Sequence, residues 1–175
     1  MGCRRPQIPY GKMTRHGGTP EEQADEIQRF FVRPFFLSLS IGMPFCTFKF
    51  LLGLSAIRTG AWLLVPFGSL VIAWATADFV MNAARSIFDL AGRPAPFEYC
   101  TIAQLGRLFR RPLVFLAVDT LLSFGAICVM LWSGWIGGLL PEETALWNGA
   151  TTLNLMSLSI VSLYNEMRRV SGPGE

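Results

Sequence analysis

Three ionisable side chains stand inside long apolar runs: Lys49, Asp78 and Asp119. Charge at the centre of a bilayer costs at least about 2.5 kcal/mol per residue on insertion scales, so each needs a reason. Two aspartates at matching depth have the chemistry of a proton relay or a cation site. They also have the chemistry of a clamp, in which a nearby cation neutralises them. Asp119 stands about two turns into its apolar segment and Asp78 at a similar depth, within reach of Arg85, Arg110 or Arg111. This position near the interface favours a clamp over conduction. Failing a cation, one carboxyl would hold a proton. Lys49 stands two-thirds of the way outward along its segment, where a long stem is expected to snorkel to the outer surface. Glu166, beside Arg168 and Arg169, reads as a headgroup-level charge.

Other site chemistry is sparse. The single His, His16, lies in a polar arm, so no span offers an axial ligand to haem or chlorophyll. Cys3, Cys46, Cys100 and Cys128 form no C-x-x-C pair and read as free thiols, so no metal site is expected. No Ser/His/Asp set, H-E-x-x-H or P-loop is present. No catalytic residue and no cofactor is expected.

The elements that carry the charges are helices for a lipid solvent. Hydrophobic residues make up 51% and charged residues 15% of the 175-residue chain. Soluble domains average about 25% charged. The mean hydropathy is +0.41. The pattern predicts an all-α integral membrane protein with four transmembrane helices in two antiparallel hairpins. The spans are residues 34–57, 61–83, 112–139 and 145–167, the first of them about 36 Å long as a helix. Residues 34–83 form the first hairpin and 113–167 the second, with a basic loop at 84–112 between them and a tail at 168–175. Residues 1–33 form an arm with an amphipathic helix at 20–31, capped by Thr19, Pro20 and Glu22. Its Phe30 and Phe31 face lipid or a partner. A short interfacial helix at 97–109 presents Ile102, Leu105, Leu108 and Phe109 to lipid. Arg93, Arg107, Arg110 and Arg111 are the expected headgroup or partner contacts. Trp132, Trp135 and Trp147 lie near the second turn, as an aromatic belt would.

Each span has a stripe of small or polar residues at helical spacing, the signature of helix contacts. The stripes are Ser38, Gly42, Cys46, Lys49, Gly53 and Ala56, then Gly68, Ala75, Asp78, Asn82 and Arg85. The third is Asp119, Ser123, Ala126, Ser133 and Gly137. The fourth is Asn148, Thr151, Thr152, Ser159, Ser162 and Glu166.

Orientation follows from basic residues. The arm, central loop and tail hold 6, 5 and 2 Lys or Arg, and the two hairpin turns hold only Arg58. This bias places both termini in the cytoplasm of a bacterial inner membrane. An organellar membrane would satisfy the same count. The net charge of +3 sits beside apolar segments, so the partners expected are the bilayer and other membrane subunits rather than nucleic acid. Small size, the missing catalytic set and the long arm predict a non-catalytic structural or assembly subunit of a membrane complex. The alternative is a small proton- or ion-coupled transporter or channel working through Asp78, Asp119 and Lys49.

Overall fold

A computed structural model describes residues 34–93, 95–98 and 100–171. The arm with its helix at 20–31, including Phe30 and Phe31, lies outside the described residues. Among the described residues the chain is helical, with no strand. Helix α1 (Pro34–Leu37) runs through a π-helical turn (Ser38–Gly42) into α2 (Met43–Arg58). Then come α3 (Leu64–Leu90), α4 (Thr101–Leu108) and α5 (Pro112–Trp132). A 3₁₀ turn (Trp135–Gly138) leads to α6 (Pro141–Ser171).

Three helical stretches are long and apolar enough to cross a membrane: Ser38–Arg58, Leu64–Leu90 and Pro112–Trp132. Helix α6 has 31 residues, about 46 Å. Asn148, Thr151, Thr152, Asn154, Ser157 and Ser159 dilute its apolar character. The predicted third span stops short of Leu139. Gly134 takes a left-handed φ of 72° after Trp132 and ends the helix. The second span instead runs on to Leu90, past the expected Ala83. There Phe88 packs edge-on against Phe97 with ring centroids 5.9 Å apart. Asp89 Oδ2 accepts the Phe35 N–H at 3.2 Å, satisfying a donor at the start of α1 that has no intrahelical partner.

The axis of the fold is the first span. Within its apolar window 61% is buried, against 22% in each of the other two. Helices α3, α5 and α6 pack around it more than on one another. Against α3 the contact is backbone on backbone. A methyl placed on Gly53 would come within 2.7 Å of the Gly68 carbonyl oxygen, and one on Gly68 within 2.5 Å of the Gly53 oxygen. Against α5, Phe45 meets Phe124 edge to face at 5.5 Å. Against α6, Phe48 meets Trp147 at 4.9 Å. Trp147 is therefore a core residue and not part of an aromatic belt, whereas Trp132 is 92% exposed. The apolar outer faces of α3 and α5 (Leu70, Phe79, Val80, Leu121 and Leu131 among them) are exposed, as lipid-facing surface should be.

One ion pair joins two connections that are far apart in sequence. Arg58, at the end of α2, grips Glu143 in the first turn of α6 with two hydrogen bonds of 2.6 Å. Glu143 also accepts the Leu140 N–H at 3.0 Å. The turn after α2 and the connection before α6 thus lie at the same end of the molecule, here termed the turn end; the end with the central loop is the loop end. The Arg58 bonds, then the Leu140 N–H, hold the Glu143 carboxyl below its ordinary value of 4.5. The folded form thus binds its proton more weakly than the unfolded chain. The stabilising contribution is complete above pH 4.5 and disappears as pH falls through the lower folded value. Unfolding followed from neutral pH downward should show this acid-sensitive step. Glu143→Gln should abolish it while changing neutral-pH stability little, because the Arg58 side chain is 42% exposed.

Helix α4 ends in a full Schellman motif. The Arg110 N–H bonds the Arg107 carbonyl at 3.0 Å and the Arg111 N–H bonds the Gly106 carbonyl at 3.0 Å. Arg110 holds the left-handed position with φ of 56°, where glycine is the usual occupant. A non-glycine residue there costs about 1–2 kcal/mol.

Candidate functional site

The three intramembrane charges meet. Lys49 Nζ donates to Asp78 Oδ2 at 2.8 Å and to Asp119 Oδ1 at 2.7 Å. The same ammonium lies 4.0 Å from the centroid of the Trp74 ring. Lys49, Asp78 and Asp119 are 2%, 1% and 6% exposed. One cation therefore ties α2 to α3 and α5, well inside the helix cluster.

The expected snorkelling of Lys49 is corrected by the direction of its side chain. Cα–Cβ bonds tilt toward a helix N-terminus, so a residue of α2 points back toward the loop end. With Gly53 facing Gly68, the residue of α3 level with Lys49 lies near Ile72. Asp78 stands about 9 Å further toward the loop end, and a four-carbon stem spans that gap. The arginines expected to neutralise the aspartates lie elsewhere. Arg85 Nη1 donates to the Phe97 carbonyl at 2.7 Å and braces the central loop.

The loop itself enters the site. Thr101, at the start of α4, donates its N–H at 2.7 Å and its hydroxyl at 2.8 Å to Asp78 Oδ1. Asp78 thus receives three donors and acts as an external cap for α4. Next to Thr101, the buried Cys100 accepts the Ala103 N–H on sulfur at 3.3 Å. Burial, then the charge of Asp119, pushes the Cys100 thiol up to about 12, so it stays protonated. Gly106 lets α4 lie against α5, since a methyl there would come within 2.7 Å of Phe115 Cβ. Among the described residues Cys46, Cys100 and Cys128 are free thiols.

Beside the triad is a cavity of about 250 Å³, walled by Phe45, Cys46, Lys49, Asn82, Asp119 and Thr120 among others. Asn82 donates to the Asp78 carbonyl at 2.9 Å and packs against Gly42 of the π-helical turn. The cavity thus joins α2, α3 and α5, with Cys100 of the loop in its lining.

The other predicted residues divide. The stripes of the first two spans and the first half of the third turn inward: Cys46, Gly53, Ala75, Asn82, Ser123 and Ala126 are buried. Ser133 and Gly137 are exposed. On α6 the predicted stripe is not the face that packs against the chain's own core. The packed face is Glu143, Trp147, Ala150, Asn154 and Ser157, while Asn148, Thr152, Ser159, Ser162 and Glu166 are exposed. The Ser157 hydroxyl donates to the Leu153 carbonyl of its own helix at 2.7 Å and lies 3.3 Å from the Ser40 carbonyl. A π turn leaves carbonyls without their usual i+4 partner, so α6 docks where the first span is irregular. Arg93, Arg110 and Arg111 are exposed, as surface contacts would be. Arg107 is exposed too, but its guanidinium donates to the Pro96 carbonyl at 2.8 Å and lies 3.8 Å from Glu98.

Sequence reasoning missed Trp74, Cys100 and Thr101. Thr101 carried a faint signal, a hydroxyl residue near the start of a predicted helix. Trp74 and Cys100 carried none, because their roles come from partners on other elements.

The fold and the buried ion triad together define a helical membrane protein with a charged core. Comparison with protein-family models, with curated proteins and with solved structures gives no match.

Proposed function

We propose that the chain is a four-span, non-catalytic subunit of a membrane complex, with both ends in the cytoplasm. The supporting observation is the outward polar face of α6. Asn148, Thr152, Ser159 and Ser162 point away from the chain's own core. In hydrocarbon such residues are hydrogen-bonding surface for a neighbouring helix. The chain's buried charges, in contrast, are neutralised largely among themselves, which leaves α6 as the polar face on offer. The basic central loop fits a role at the headgroup level.

Extraction in a mild detergent tests this reading. Native mass spectrometry should find the chain in an assembly heavier than its own 19.4 kDa. Changing Asn148, Ser159 and Ser162 together to Leu should release it as a folded single chain. A wild-type protein that elutes as a lone chain would defeat the proposal.

A second reading, proton- or ion-coupled transport through Asp78, Asp119 and Lys49, draws support from the cavity beside the triad. It requires first that the triad exchange an ion, a property measurable without any flux assay.

A further inference from the structure

We propose that the Lys49–Asp78–Asp119 cluster is a binding site for one exchangeable proton, carried on Asp119 and reached through the adjoining cavity. The argument begins with charge. With the ammonium and both carboxylates ionised, the cluster holds one net negative charge. Lys49 is the cation in direct contact with both aspartates. An uncompensated charge in a dry interior costs several kcal/mol, and binding one proton removes it.

Donor counting places the proton. Asp78 accepts from three donors at 2.7–2.8 Å: Lys49, the Thr101 N–H and the Thr101 hydroxyl. Hydrogen bonds to the charged form favour that form. Asp119 accepts from Lys49 at 2.7 Å, a single donor against the three on Asp78. Among the described residues, the charged and titratable groups that share its cavity are Lys49 and Cys46 from α2, Asp78 from α3 and Cys100 from the loop before α4. Asp119 also borders the cavity, which Asn82 and Thr120 line with it.

A proton fits better than a metal cation. A sodium ion at Asp119 would need several oxygen ligands with an ammonium 2.7 Å from the same carboxylate, and like charges repel at that distance. A proton needs only one carboxylate oxygen. In the step, an O–H bond forms on Asp119 with a proton supplied by water, and Lys49 keeps its ammonium protons. Lys49 is then left with Asp78 as its anionic partner. The electrostatic link from α2 to α3 persists while the link to α5 weakens. Proton binding therefore acts on one helix contact selectively.

Difference infrared spectroscopy of the full chain in lipid nanodiscs tests the site. As pH is lowered toward, but not into, the ordinary carboxylate range, one carboxylic-acid C=O band per chain should appear. It should shift in D₂O. It should vanish in Asp119→Asn, survive in Glu142→Gln, and move in frequency in Asp119→Glu. No such band in the wild-type protein overturns the proposal, and this arm needs no variant to fold. A band that persists in a folded Asp119→Asn overturns the assignment to Asp119. Loss of the band on exchanging potassium for sodium would identify a metal-cation site and overturn it as well.

Discussion

Lys49→Met is expected to cost about 3–5 kcal/mol of stability, the typical penalty for removing one partner of a buried ion pair. Met fills nearly the same volume, so packing around α2 changes little. What remains are two carboxylates, Asp78 and Asp119, 1% and 6% exposed with their shared cation gone. Thr101 still donates to Asp78, so the loss falls mainly on Asp119 and on the contact of α5. Equilibrium unfolding in detergent would measure the loss. The triple variant Lys49→Met, Asp78→Asn, Asp119→Asn should recover most of it, since neutral amides remove the uncompensated charge. Lys49→Met as stable as the parent would show that the triad contributes nothing to the fold.

The contact between α2 and α3 should be almost as sensitive. Gly53→Val or Gly68→Val places side-chain carbon where the facing carbonyl oxygen already stands, at 2.7 and 2.5 Å for the first carbon alone. Backbone cannot rotate aside as a flexible side chain can, so the two helices must separate. Overpacking of this kind costs about 1–3 kcal/mol, and separation would also pull Asp78 away from Lys49. The expected readout is reduced unfolding stability with altered migration on size exclusion. Gly125→Ala is the control: the added methyl meets nothing within 4 Å. It should be neutral or slightly stabilising, by up to about 1 kcal/mol from helix propensity. Equal losses at Gly53, Gly68 and Gly125 would remove the close crossing as the cause.

The inward faces of the first two spans were legible because small and polar residues there are few and fall at helical spacing. Cys46, Lys49, Gly53 and Ala56 leave only one side of a helix for the core. On α6 the same rule did not single out the inward face. Polar residues occur on several sides, and spacing could not tell Asn154 and Ser157, which face the core, from Asn148 and Ser159, which do not. The arbiter was Trp147, a large apolar residue reserved at the outset for the membrane interface. It packs 4.9 Å from Phe48 and rotates α6 accordingly.

The amino-acid order alone determined the solvent and the elements. Long apolar runs exclude water, and runs of that length in lipid must close their own hydrogen bonds as helices. It also marked Lys49, Asp78 and Asp119 as the residues demanding explanation. The tertiary structure decided that they answer one another. Their separations of 29 and 70 residues are bridged by a close glycine crossing and the backward tilt of a helical side chain. Thr101 and Cys100 joined them only because the central loop folds in against Asp78. Such partnerships depend on how rigid helices cross in space, and local spacing along a chain carries no information about that.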